Sequence, residues 1–235
     1  MTTDFITTAR RGAVLEIRLN RPQAANALNR DMLGAIQATL AAAREDANTG
    51  AVLLSSQGNA FSAGVDLKEM IDSVPQRSQQ LRRDALCQTL MALAAFPKPV
   101  VTAVQGPAVG AGCMLAFLAD VLVASDAALF SLPEVALGMP TPIAATIAQW
   151  RGGAPLARHM VLGGEKCAAG DARVGAVSSG PGAALDDVAS RCATRLASQP
   201  ADAYASTKSW LAQSILQQLE LAAAEARRLA ERKLP

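Results

Sequence analysis

The sequence predicts an α/β fold with a largely parallel sheet, because short apolar strands alternate with helices up to about residue 130. From Ala183 onward the pattern changes and the chain is predicted to be entirely helical. The 235 residues suffice for one large domain, or for one domain with a small appendage. Hydrophobic residues make up 51% of the chain but aromatic residues only 3%, so the core must be built from Ala, Val, Leu and Ile.

Each predicted element follows from local periodicity and from the residues that close it. The predicted strands are Val14–Leu19, Ala51–Ser55, Val100–Val104, Val121–Ala124 and Ala128–Phe130. The predicted helices are Asp31–Arg44, Gln79–Phe96 and Cys113–Ala119, and Val65–Met70 is predicted to open a helical turn. Asn29 or Asp31 is expected to cap the first helix, and Pro97 to end the second.

The helical tail carries two apolar stripes at spacings of three and four residues. One stripe consists of Leu185, Val188, Cys192 and Leu196, and the other of Leu211, Ile215, Leu219, Ala222, Ala226 and Leu229. Such a tail either docks on a partner subunit or folds back on its own domain, and periodicity does not decide between them. Pro181-Gly182 marks the junction, so we divide the chain into a body (1–182) and a tail (183–235).

Charge and cysteine usage exclude several function classes. The net charge is only +2, with 22 basic and 20 acidic residues, which predicts no nucleic-acid partner. The cysteines Cys87, Cys113, Cys167 and Cys192 form no CxxC pair and accompany no histidine cluster, so we expect reduced buried thiols and no metal site. No signal pattern opens the chain, and Val109–Leu118 is too short to span a membrane, which predicts a cytoplasmic protein.

Two glycine-containing turns are candidates for chemistry. Phe61–Lys68 follows a strand and its loop, and Gly106–Cys113 follows a strand and opens an apolar helix. Backbone N–H groups at such places are free to hold negative charge, and two that converge on one carbonyl oxygen would form an oxyanion hole. Ordinary tight turns would leave the same pattern. Gly110-x-Gly112 lacks the third glycine of a dinucleotide-binding motif.

Two titratable residues are the remaining candidates. Glu134 lies among apolar neighbours, which would raise its pKa and suit an acid/base, although a solvated surface glutamate would look the same. His159 is the only histidine. No Ser/His/Asp or Cys/His arrangement surrounds it in sequence, so a structural or solvated histidine is the expectation.

In this order and spacing, the motifs resemble the crotonase (enoyl-CoA hydratase/isomerase) superfamily from about Val14 to Lys208. The landmarks are Leu19–Pro22, Asn26–Asn29, Phe61–Met70, Lys98–Val100 through Gly106 to Cys113, Leu132–Val135 and Leu137-Gly138. The resemblance implies a spiral of ββα units that carries an acyl-CoA site. It also implies a C-terminal segment, 183–235, that builds trimers, often paired into hexamers.

The resemblance also implies a site. Its oxyanion hole would use the backbone N–H groups of Val65 and Ala111, with Glu134 as the catalytic carboxylate. The residues implied to contact substrate are Ala25, Ala27, Ser62, Ala63, Val65, Asp66, Leu67, Lys68, Ala111 and Met114. No metal or redox cofactor is implied, since coenzyme A is part of the substrate.

Departures from the family pattern bear on the reaction. Hydratases of the family carry two glutamates, and the first falls here on Met114, which can neither accept a proton nor hold a water. One retained glutamate resembles the Δ3,Δ2-enoyl-CoA isomerases, whereas the aspartate of dienoyl-CoA isomerases falls on Pro142. Gly138–Pro142 and Ser178-Ser179 also differ from many hydratases. The prediction is an isomerase; the alternatives are a hydratase or lyase, and a non-catalytic acyl-CoA-binding protein.

Overall fold

A computed structural model describes residues 5–69, 74–180 and 185–232. The predicted junction at Pro181-Gly182, and with it the division between 182 and 183, lies outside the described residues, as does Met70. Among the helices of the described ranges, none is long and apolar enough to span a membrane.

The main sheet has six strands in the order β1-β2-β3-β4-β6-β9. Its strands are β1 (Ile6–Arg11), β2 (Val14–Leu19), β3 (Ala51–Ser56), β4 (Val100–Val104), β6 (Val121–Ala124) and β9 (Val177–Ser178). Only the first pair is antiparallel; the pairs from β2 to β9 are parallel, as predicted. The short turn between β1 and β2 uses Gly12, whose φ is +59°.

A second, three-stranded sheet and the helices complete the fold. The strands of this sheet, in the order β5-β7-β8, are β5 (Ala108–Val109), β7 (Leu129–Ser131) and β8 (Cys167–Ala168). The helices are α1 (Arg30–Glu45), α2 (Pro75–Ala94), α3 (Ala111–Phe117), α4 (Pro142–Ala157), α5 (Leu185–Ala197) and α6 (Ala201–Glu231). A 3₁₀ turn covers Pro22–Ala24 and a π-helix covers Arg158–Leu162.

Local sequence signals predict much of this. Strands β2 and β4 have the predicted bounds, and the Asn29 side chain caps α1 by accepting from Met32 N–H at 2.9 Å. Helix α4 was not predicted, because Gly152, Gly153 and Pro155 interrupt its pattern and the two glycines have non-helical dihedrals.

The segment after Val65 differs from its prediction. Val65 forms a parallel bridge with Leu28, and a single turn follows in which Glu69 N–H donates to Asp66 O at 3.3 Å. The chain is therefore extended at Val65 itself, so pairing with Leu28 overrides the helical pattern there.

The core lies on both faces of the main sheet, because alternate residues of each strand point to opposite sides. In β4, Val100 and Val104 belong to the larger cluster with α1, α2 and α3. Val101 belongs to the smaller cluster on the other face, which α5 covers with Ala189 and Ala193. Helix α5 therefore packs directly on the sheet.

Helix α6 folds back on its own chain and packs against α4 and α2. Ile215, Leu219 and Ala222 of the predicted stripe are buried there. Periodicity left open whether this stripe docks on a partner subunit or folds back on its own domain. These residues fold back on their own chain. Trp210 and Leu221 face outward, with exposed fractions of 73% and 72%.

Candidate active site

The segment around Val65 presents a backbone amide that the fold leaves unused. Leu28 N–H donates to Gly64 O at 2.7 Å, and Asp66 N–H donates to Leu28 O at 2.9 Å. This parallel pattern uses the peptide groups on either side of Val65, so the Val65 N–H points away from Leu28.

A second unused amide lies at the start of α3. Ala111 is the first residue of that helix, so its N–H has no intrahelical acceptor. The preceding Gly110 has a φ of +52°, and its own N–H donates to Ser131 O at 2.8 Å. Across residues 5–69, 74–180 and 185–232, neither the Val65 N–H nor the Ala111 N–H has a hydrogen-bond acceptor.

Gly64 brings the segments of these two amides together. Its φ is +92°, and a Cβ built on it would lie 2.9 Å from Val109 O and 3.5 Å from Ala111 N. A side chain at this position would therefore collide with the segment that carries Ala111. Because Gly64 directly precedes Val65, this close approach brings the segments that carry the two free N–H groups into contact.

A buried amide side chain holds the turn at Ala25. Ala25 and Asn26 have φ values of 48° and 52°, the only positive values at non-glycine residues in the described ranges. The Asn26 amide donates to Gln57 O at 2.7 Å and to Ala60 O at 2.9 Å, and its Oδ1 accepts from Arg21 N–H at 2.8 Å. Three hydrogen bonds thus offset a backbone conformation that costs about 1–3 kcal/mol per residue.

Ser62 continues this wall. Its hydroxyl donates to Asn26 O at 2.8 Å and accepts from Gly64 N–H at 3.2 Å. Ala63 N–H donates to Ala25 O at 2.9 Å, which joins the two segments predicted to contact coenzyme A. The side chain of Ser62 is fully buried, so it positions the backbone of this wall.

Asp66 also supports the wall from inside. Its carboxylate accepts from the Arg21 guanidinium at 2.5 Å and from Lys68 N–H at 3.0 Å. Burial alone would raise the pKa of Asp66, but these two hydrogen bonds outweigh burial and hold the pKa below its ordinary value. Arg21 also donates to Ala27 O at 3.2 Å, so the ion pair ties the two segments together.

The remaining predicted contact residues of these segments reach the surface. Ala63, Leu67 and Lys68 are exposed, and Leu67 has an exposed fraction of 67%. Ala25, Ala27 and Val65 are half-buried. These residues are therefore accessible to a ligand, unlike the side chains of Ser62 and Asp66.

Glu134 lies beside the start of α3. It follows β7, and one carboxylate oxygen, Oε1, is 3.0 Å from the position that a Cβ on Gly110 would occupy. The other oxygen, Oε2, is buried and has no hydrogen-bond partner among the described residues. Burial raises the pKa of Glu134 above its ordinary value of 4.5. A poorly solvated carboxylate of this kind can act as a general acid or base.

Met114 lies one turn into α3, where its N–H donates to Gly110 O at 2.9 Å. It belongs to the main core cluster and has an exposed fraction of 4%. Its neighbour Cys113 is fully buried, and burial raises the pKa of that thiol well above its ordinary value. Cys113 and Met114, which follow Gly110 in α3, are therefore both buried in apolar surroundings.

Two supporting residues of the site were not predicted, Asn26 as a brace and Arg21 as the partner of Asp66. Asparagine tolerates the left-handed region better than most residues, which is the one available signal for Asn26. The ion pair of Arg21 and Asp66 spans 45 residues and has no local signature.

Comparison with known proteins identifies the family of this chain. The family model for enoyl-CoA hydratase/isomerase matches residues 9–233. The chain is 35% identical to the mitochondrial enoyl-CoA hydratase of Pongo abelii over 205 residues, which is 83% of this chain and 68% of that protein. It is 39% identical to the 2,3-dehydroadipyl-CoA hydratase of Escherichia coli (strain K12) over 166 residues, or 70% of this chain and 64% of that protein.

The match to several curated relatives is partial in length. It covers 53% of a probable enoyl-CoA hydratase of Mycobacterium bovis, at 38% identity over 59% of this chain.

The crystal structure of an enoyl-CoA hydratase from Mycobacterium avium subsp. paratuberculosis K-10 superimposes with a TM-score of 0.86 at 26% identity, covering 100% of this chain and 96% of that one. The chain belongs to the enoyl-CoA hydratase/isomerase family.

Proposed function

We propose that this protein is an acyl-CoA enzyme that shifts a carbon–carbon double bond, a Δ3,Δ2-enoyl-CoA isomerase. The observation that carries the proposal is a single buried carboxylate, Glu134, beside two unused backbone N–H groups. No other acid of this chain matches a catalytic position of the family.

The first step stabilises the thioester oxygen. The N–H groups of Val65 and Ala111 donate to that oxygen while negative charge develops on it. Both donors are held by backbone pairing and by Gly64, so they need no rearrangement during the reaction. One such donor contributes about 100- to 1000-fold in rate.

The second step moves one proton. Glu134 removes a proton from C2 of a 3-enoyl-CoA, and the electron pair spreads over the thioester oxygen and the neighbouring double bond. The same carboxyl returns the proton to C4, so the double bond lies between C2 and C3 and no atom is gained or lost. The raised pKa of Glu134 favours this shuttle because it makes the carboxylate a stronger base for the C2 proton.

Met114 favours isomerisation over hydration. An ordered water needs two to four polar partners, and a methionine in place of a second carboxylate offers none. A 2-enoyl-CoA at this site would therefore meet one acid and no second polar group to position the attacking water.

A hydratase is the second candidate, and the names of the curated relatives favour it, since several are hydratases. In that case Glu134 alone, or with an acid from elsewhere in the chain, would activate water. A third candidate is a non-catalytic protein that binds acyl-CoA and lost its chemistry at Met114.

One pair of assays separates the three candidates. The purified protein is supplied with a 3-enoyl-CoA and, separately, with a 2-enoyl-CoA, while double-bond migration and water addition are followed. The isomerase proposal predicts migration with slow hydration. Hydration with a kcat of about 10 per second or more would overturn it. Binding without either reaction would identify the non-catalytic candidate.

The variant Met114→Glu tests the reason for the preference. Restoring a second carboxylate is expected to raise hydration of 2-enoyl-CoA relative to isomerisation. Met114→Leu is the matched control, because it keeps an apolar side chain of similar volume and should leave the ratio unchanged. Equal ratios in both variants would show that Met114 does not face the reacting atoms.

We also expect a homotrimer, or a hexamer of two trimers. The support is the outward face of α6, where Trp210 and Leu221 are three helical turns apart and both exposed. Light scattering at micromolar concentration measures the mass, and a monomer would contradict the expectation.

We also propose a cytoplasmic location. The four cysteines, all in the described ranges, carry free thiols, as is usual for proteins of that compartment.

A further inference from the structure

Three side chains of metal-binding type meet where the chain turns between the π-helix and β8. They are His159, Cys167 and Asp171, and their nearest possible ligand atoms all lie within 4.8 Å of one another. The sequence predicted no metal site, because its cysteines form no CxxC pair and accompany no histidine cluster. The fold brings them together by folding the chain back between the π-helix and β8.

The backbone around His159 is held in an uncommon conformation. His159 lies in the π-helix Arg158–Leu162, a type of turn that often occurs at functional sites. Its carbonyl oxygen accepts from Glu165 N–H at 3.2 Å, which turns the chain towards β8. The imidazole is half-buried, so it remains accessible from solvent.

The thiol of Cys167 forms the inner end of the cluster. Cys167 has an exposed fraction of 1% and pairs with Phe130 of β7. Asp171 N–H donates to Ala168 O at 3.0 Å, which places the Asp171 carboxylate next to the thiol. The nitrogen, sulfur and oxygen donors are thus held by the π-helix, by β8 and by the turn after β8.

Arg173 orients the carboxylate without using all of it. Its guanidinium donates to Asp171 Oδ1 at 2.9 Å and to Oδ2 at 2.5 Å. The Arg173 backbone N–H also donates to Oδ1, at 2.9 Å. A carboxylate has about four lone-pair positions, so one remains for another partner. The positive charge of the Arg173 guanidinium opposes the binding of a cation beside Asp171.

We propose that His159, Cys167 and Asp171 bind a divalent cation of the zinc class, with solvent as the fourth ligand. Thiolate and imidazole donors select Zn²⁺ or Co²⁺ over Mg²⁺ or Ca²⁺. Binding forms a metal–sulfur bond and breaks the S–H bond, and the proton leaves to solvent. Ligand atoms around a tetrahedral ion lie about 3.5 Å apart, so the cluster closes by about 1 Å at most.

Co²⁺ titration of the full chain tests the proposal. One equivalent per chain is expected to produce a saturable near-ultraviolet band from sulfur-to-cobalt charge transfer, which Zn²⁺ then removes by competition. Mg²⁺ in large excess should not remove it. The absence of a saturable band at one equivalent would overturn the proposal.

Variants assign the band to these residues. His159→Ala is expected to weaken Co²⁺ binding at least tenfold, and Cys167→Ser is expected to abolish the band. Cys192→Ser is the matched control, because Cys192 is a half-buried cysteine on α5 and should leave the band unchanged. A band that survives Cys167→Ser, or that is lost in Cys192→Ser, would contradict the assignment.

His159→Ala is expected to fold normally, since the His159 side chain is only half-buried. Weaker Co²⁺ binding in this variant would therefore not result from misfolding. Arg173→Gln adds an outcome that damage to the fold cannot mimic. Removing the guanidinium frees the Asp171 carboxylate and removes a positive charge, so Co²⁺ is expected to bind more tightly. Weaker binding in a folded Arg173→Gln variant would show that Asp171 is not a ligand.

Discussion

The two sides of the candidate active site are built in opposite ways. On one side, the wall formed by Asn26, Ser62 and Asp66 pairs its buried polar side chains within the protein. On the other side, Glu134 Oε2 is buried without a partner among the described residues. In the proposed function, the wall would fix the position of the ligand, and Glu134 would use its unpaired oxygen on the ligand.

This difference explains where stability and reactivity are located. A fully paired polar network stabilises one geometry, and an unpaired buried carboxylate costs free energy. Of the two unused backbone N–H groups, that of Val65 follows the paired wall in the chain, whereas that of Ala111 lies at the start of α3 near Glu134. A proton shuttle needs a carboxyl that binds and releases a proton, so Glu134 lies outside the paired wall.

The largest effect is expected from Glu134→Gln, which removes the acid/base and keeps the shape. Activity on an enoyl-CoA should fall about 100- to 10,000-fold, the usual contribution of a general acid–base group. Binding of the acyl-CoA, measured by calorimetry, should remain. Glu45→Gln, at the exposed end of α1, is the matched control. Near wild-type turnover in Glu134→Gln would exclude the single-base mechanism.

Gly64→Ala tests the paired wall directly. The new Cβ would lie 2.9 Å from Val109 O, which forces the Val65 and Ala111 N–H groups apart. We expect kcat to fall about 100-fold, close to the loss of one oxyanion donor. Gly12→Ala is the control, because its φ of +59° is equally unfavourable but nothing lies within 4 Å. If both variants lost the same activity, backbone strain alone would be the cause.

Asn26→Asp is expected to act on stability. A carboxylate cannot donate to Gln57 O and Ala60 O, so two buried acceptors lose their donor and face a negative charge. The free energy of unfolding should fall by about 2–4 kcal/mol, as measured by urea denaturation. Asn48→Asp, an exposed position, should change it little. A small loss in Asn26→Asp would mean that the turn holds without its amide.

The smallest effect is a pH-dependent gain in stability for Glu134→Gln. The folded-state pKa of Glu134 is raised, so the folded wild type loses stability as pH rises from about 4.5 through that pKa. The variant lacks this loss. Its free energy of unfolding should match that of the wild type at acid pH and exceed it by about 1 kcal/mol at neutral pH. Urea denaturation at both pH values measures the difference. A difference that does not depend on pH would show that burial does not perturb Glu134.

The sequence alone predicts the elements whose signals are local. Strand β4 follows from an apolar run, and capping chemistry limited the cap of α1 to Asn29 or Asp31, of which Asn29 is the cap. The glycine turns indicated the segments Phe61–Lys68 and Gly106–Cys113, and the family resemblance named Val65 and Ala111 within them. The supports of the site depend on contacts between distant residues. Arg21 meets Asp66 across 45 residues, and no local pattern contains that pairing.

The same limit applies to His159. Its neighbourhood in sequence shows no ligand pattern, and only the π-helix turns it towards Cys167. Helix α6 shows the converse case: periodicity identified its apolar stripe, but whether the stripe packs within the chain depended on α4, a helix that the sequence did not reveal.

The two isolated bridges of the wall have a consequence for folding kinetics. Leu28 pairs with Val65, and Ser62 pairs with Ala108, so three distant parts of the chain must meet before the amides converge. Contacts of such wide sequence separation form late, because loop closure costs entropy first. During refolding, enzymatic activity should therefore return after helical circular dichroism does, and an acyl-CoA ligand should capture only chains that have completed this last step.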